Sequence, residues 1–154
     1  MFRQETHKAL YLFISMFRFF KEKSSNMVGF EDVKHAIRAG PAKFILINTF
    51  DQDVIVQGTV SSDREETVIN AQLTDYTKPD VPIIVYGRNS CDESVDAKEK
   101  QLRALGLEDI YVFRGGMFEW LLLGDVFGQD EFPIVRRGTL GVDILKYAPV
   151  SRGW

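Results

Sequence analysis

The chain has 154 residues, 45% of them hydrophobic and 27% charged, an ordinary globular balance for one domain with a two-sided core plus short extensions. A formal net charge of -3 and a pI near 5.4 exclude electrostatic binding of nucleic acid by the chain as a whole. The single cysteine, Cys91, excludes an intrachain disulfide and a multi-cysteine metal site, and it fits a reducing, cytoplasmic setting.

Residues 1–23 differ chemically from the rest. Arg3, Lys8, Arg18, Lys21 and Lys23 stand against Glu5 and Glu22, so this stretch is 5 − 2 = +3 and the remainder is -6. The run Ala9–Phe17 (ALYLFISMF), followed by Arg18, Phe19 and Phe20, is apolar on nearly every face and must be covered by something. It is too short for a membrane span and lacks the charge order and cleavage site of a signal peptide. Residues 1–26 are therefore expected to form an apolar, basic helix and linker. Three readings stay open for it: packing on the domain or on a protein partner, peripheral attachment to a membrane surface, or targeting.

Phe30–Ala39 places Phe30, Val33, Ala36 and Ile37 at helical spacing before Gly40-Pro41, which predicts a short amphipathic helix. His35 lies off its apolar stripe and, like His7, reads as a surface histidine. Lys43–Asn48 (KFILIN) is an unbroken apolar run, the pattern of a parallel strand buried on both faces. Asp53–Val60 predicts a shorter strand interrupted at Gly58. Asp63–Leu73 predicts a helix with Val68, Ile69 and Leu73 inward and acids at its start.

The centre of the chain is Val81–Trp120. Pro82–Tyr86 reads as a buried strand, Gly87–Asp92 as a polar turn, and Glu93–Leu105 as an amphipathic helix. Ser90 and Glu93 have capping-box spacing, and Gly106 stands at the C′ position. Ile110–Phe113 is a second buried strand, and Gly115-Gly116 turns into an apolar helix at Met117–Leu123. Phe132-Pro133 closes the domain, and 134–154 is read as a tail. Strands alternating with helices predict an α/β fold, an open parallel sheet flanked by helices, with the extra N-terminal helix outside a 27–133 domain. Such sheets bind ligands beyond the carboxyl ends of their strands, which makes Gly87, Arg88, Asn89, Ser90, Cys91 and Asp92 the candidate active or anion-binding loop.

VPIIVYG, the turn, the helix end QLRALGL, DIYVFRGG and Trp120 together resemble the rhodanese-like (rhodanese-homology) domain over about Gly29 to Pro133. The turn, with FEWLLLGDVFGQDEFP and VDILKY, is similar to an atypical group of that family in protists and large DNA viruses. The resemblance implies a sulfurtransferase or phosphatase ancestry, with a nucleophilic cysteine directly after the central strand. Gly87 stands at that position here. The cation that usually closes the loop is replaced by Asp92 and Glu93, and Asn48, Thr49 and Phe50 follow the first strand.

The matches fall on the fold and the departures on the catalytic apparatus. A phosphate dianion would meet Asp92 and Glu93 with only Arg88 to compensate it. Two functions follow: a catalytically silent binding or regulatory module, or a divergent sulfurtransferase using Cys91 as its persulfide-forming nucleophile. Neither implies a metal or cofactor. Gly115-Gly116 lacks the third glycine of a dinucleotide fingerprint and reads as a turn. Trp120 and its leucines read as core.

Overall fold

A computed structural model describes residues 26–50, 54–136 and 153. The helix expected within 1–26 falls outside these residues apart from Asn26, as does the tail beyond Arg136 apart from Gly153. The described elements are α1 (Phe30–Ala39), β1 (Ile45–Asn48), β2 (Val54–Val56), α2 (Ser62–Thr74), β3 (Ile83–Tyr86), α3 (Ser94–Ala104), β4 (Ile110–Phe113), α4 (Gly116–Phe127) and β5 (Ile134–Arg136).

β1, β3 and β4 form a parallel sheet with β3 in the centre, in the registers Ile45–Ile83 and Ile83–Ile110. Side chains alternate between its faces. Leu46, Ile84, Tyr86 and Phe113 join Val33, Met117, Trp120 and Phe132 on the α1/α4 side. Ile45, Ile47, Ile83, Val85, Ile110 and Val112 pack with Ile69, Val95 and Leu102 on the α2/α3 side. Both faces being covered explains why the strands read as unbroken apolar runs rather than alternating ones. Trp120 is fully buried, edge-on to both Phe113 and Phe132, and its indole N–H donates to the Pro133 carbonyl at 3.2 Å. The buried ring thereby keeps its polar group satisfied.

β2 is shorter than the expected Asp53–Val60 strand and lies outside the parallel sheet. It pairs antiparallel with β5, from Val54–Arg136 to Val56–Ile134, so the chain continues in ordered structure past Pro133. Tyr86 links the two sheets. Its hydroxyl accepts from the Val56 N–H at 3.1 Å and lies 2.6 Å from the Thr59 hydroxyl, which itself donates to the Val56 carbonyl at 2.7 Å. A polar aromatic can therefore end the central strand fully buried.

Gly106 closes α3 with φ +101°. The Gly106 N–H donates to Arg103 and the Leu107 N–H to Leu102, and Leu102 and Leu107 are both buried. This is a Schellman motif with its apolar contact, as the LGL signal implies. The capping box expected from Ser90 and Glu93 does not form. The helix begins at Ser94, three residues later than that spacing requires, and the first turn is capped by Asp92 instead.

Candidate functional site

The loop Gly87–Asp92 lies where the fold predicts a ligand site, between the carboxyl end of β3 and the start of α3. Its hydrogen bonds are directed inward upon itself. Asp92 turns its carboxylate back over Gly87: Oδ2 accepts from the Arg88 N–H at 2.9 Å, and Oδ1 accepts from the Ser94 N–H at 3.1 Å and the Ser94 hydroxyl at 2.6 Å. The Ser94 hydroxyl is also 2.6 Å from Thr49 Oγ1 at the end of β1, which ties the loop to the first strand. Asn89 accepts from the Cys91 N–H at 3.0 Å through its side chain and from the Asp92 N–H at 3.2 Å through its carbonyl.

The seat at Gly87 is full. A Cβ there would stand 2.6 Å from Val95 Cγ2 and 2.7 Å from Asp92 Oδ2, with Asp92 Cβ at 3.0 Å. No side chain fits without displacing the Asp92 carboxylate and shifting Val95. The outward side of the same turn is also engaged: the Gly87 and Arg88 carbonyls accept from the Met117 and Phe118 N–H groups at 2.9 and 2.8 Å. These bonds satisfy two of the otherwise unpaired donors at the start of α4. Gly116, with φ +63°, makes that approach possible, because a Cβ on it would collide with the Gly87 carbonyl oxygen.

Asp92 carries the electrostatics of the loop. Partial burial pushes its carboxyl upward. The Arg88 N–H, the Ser94 hydroxyl and N–H, and the Arg88 charge outweigh that and hold it below the usual aspartate range. Cys91 is exposed, its Sγ 3.9 Å from the Ser90 hydroxyl, and the carboxylate that lies against Gly87 belongs to Asp92. Arg88 and Ser90 are exposed, and Asn89 is half-buried. Arg114, beyond the end of β4, is held in a two-pronged pair by Asp96 at 2.7 and 3.1 Å, and its hydrogen bonds hold the Asp96 carboxyl low.

Sequence reading singled out the loop but missed three of its contacts: the Asp92 plug, the Thr49–Ser94 tie and the Arg114–Asp96 pair. Only Asp92 left a signal, an aspartate two residues before the helix start, where caps are common. Among the described residues, no group of three or more His, Cys, Asp or Glu is gathered to hold a metal ion, and no helix is long and apolar enough to cross a membrane.

A parallel sheet whose central strand ends in a tight loop and a helix start defines an open α/β domain, the kind of sheet whose ligand sites lie beyond the carboxyl ends of its strands. The chain belongs to the rhodanese-like domain family, whose profile matches residues 41–123. Among solved structures it is similar to the rhodanese-like domain of an Anabaena sp. protein, at 23% identity over 83% of this chain and 93% of that one, with a TM-score of 0.52. A full-length Lactobacillus plantarum protein is similar at 11% identity over 87% and 98% of the two chains, with a TM-score of 0.51. A single-domain sulfurtransferase of Saccharomyces cerevisiae is similar at 17% identity over 70% and 98%, with a TM-score of 0.48. No curated protein matches the sequence.

Proposed function

We propose that this chain is a catalytically silent rhodanese-like domain, a binding or regulatory module on a sulfurtransferase-related fold, with Gly87–Asp92 a relic pocket. The observation that carries this reading is the contact between Gly87 and Asp92. The position after the central strand has no side chain, and its space holds the chain's own carboxylate. Sulfur transfer by a cysteine requires a thiolate that takes the outer sulfur of thiosulfate, releases sulfite, and passes the sulfur on while loop N–H groups steady the charge. The N–H groups of Arg88, Cys91, Asp92 and Ser94 all donate within the loop.

The competing reading makes Cys91 a displaced nucleophile, and its exposure at the loop tip is the feature that favours it. The two separate in one experiment. The full chain, incubated with thiosulfate and then cyanide, is expected to gain no sulfur on Cys91 by intact mass and to form no thiocyanate above a Cys91→Ser control. A one-sulfur adduct on Cys91 with cyanide turnover would establish the enzyme instead.

A further inference from the structure

The outer face of α4 is apolar and acidic without a cover among the described residues. Leu122, Val126 and Phe127 are 47%, 67% and 66% exposed. From Gly116 to Pro133 the chain carries no lysine or arginine; Glu131 is already paired with Lys34 of α1, while the exposed Asp125 stands next to Val126 in the last turn of α4. The last turn of α4 likewise has no basic residue to offset the negative end of the helix dipole.

The chain delivers a complement to this face. The Asn26 carbonyl accepts from the Val112 N–H at 2.8 Å, the Val28 N–H donates to the Val112 carbonyl at 3.0 Å, and Met27 bridges Val112 in parallel. Asn26, where the described chain begins, therefore stands beside β4 on the amino-terminal side of Val112. α4 follows β4 through the Gly115-Gly116 turn and runs back toward the amino end of β4, so its exposed last turn and Asn26 lie toward the same end of the sheet. Val28 and Phe30 then pack into the core on the α4 side. Asn26 also reaches Glu99 of α3 at 2.5 Å, but α3 carries Lys98, Lys100 and Arg103 and offers a basic segment no net attraction. Residues 1–23 are +3 and contain the run Ala9–Phe17. α4, at 12 residues, is about 18 Å long, within reach of a run that ends nine residues before Asn26.

We propose that residues 9–20 of this same chain cover the outer face of α4, their apolar side chains against Leu122, Val126 and Phe127 and their basic end near Asp125. This goes beyond the reading of the loop and stands or falls separately from it. In the full chain with Cys91→Ser, a benzophenone is attached at Val126→Cys and, in a second preparation, at Leu122→Cys. Illumination is expected to join the label to residues 9–20 of the same copy, as judged with a mixture of isotopically distinct chains. Phe13→Asp with Phe17→Asp is expected to lower the yield about tenfold, since one buried phenylalanine is worth more than the ~1.4 kcal/mol that tenfold represents. A label at Tyr76→Cys, on the far side of the sheet, is expected to give no such product. Adducts bridging two copies, adducts elsewhere in the chain, no adduct from either site, or loss of the adduct on adding anionic vesicles would each overturn the proposal.

Discussion

Gly116→Ala is expected to destabilise the full chain by about 3 kcal/mol. Two effects add at this one position. The residue has φ +63°, where a side chain on an L-residue costs about 1–2 kcal/mol. The new Cβ would also meet backbone rather than a yielding side chain: the Gly87 carbonyl oxygen, with Gly87 C at 3.0 Å and Arg88 C at 3.1 Å. Relief requires moving the loop away from α4, which would break the Met117 and Phe118 hydrogen bonds to it. Gly106→Ala provides the comparison, because Gly106 has φ +101° but nothing within 4 Å of a built Cβ; it is expected to show the conformational penalty alone. Urea unfolding of both variants checks this, with the midpoint shifting and the slope unchanged. Equal losses at the two glycines would refute the close approach of loop and helix.

The second large effect concerns Gly87. Restoring a side chain there, even the methyl of alanine, is expected to cost about 2 kcal/mol, within the range of core overpacking. Part of that cost comes from Asp92. Gly87→Ala is therefore expected to be milder by about 1 kcal/mol in an Asp92→Ala background, although Asp92→Ala is itself destabilising through the lost cap. Relief is incomplete because Val95 Cγ2 also crowds the position. A double-mutant cycle in urea gives the coupling directly. Additivity within about 0.5 kcal/mol would mean that the two residues do not share the space.

Much of the fold was legible because its signals are local. KFILIN, VPIIVY and IYVF are short apolar runs whose buried faces follow from strand period, and Gly106 marks its helix end by backbone conformation alone. The pairing of β2 with β5 was not legible. Ile134–Arg136 is three residues long with one half-buried side chain and two exposed ones, and its partner lies almost eighty residues earlier. The loop was legible as a place and as a set of departures from its family. What fills it was not, since whether Asp92 faces solvent or turns onto Gly87 depends on where α3 begins, and the Ser90–Glu93 spacing pointed to a start three residues too early.

The Asp92 carboxylate is the group on which the account of a filled seat depends, and its own titration tests it most directly. With a folded-state value below that of the unfolded chain, Asp92 adds stability that is present above the unfolded value, near 3.9, and is lost as pH falls through the folded value. A carbon-detected NMR titration of the full chain is expected to show Asp92 protonating below about 3.9, with the Arg88 and Ser94 amide signals moving in step. An ordinary or raised value, with those amides unmoved, would place the carboxylate in solvent and leave the seat at Gly87 open.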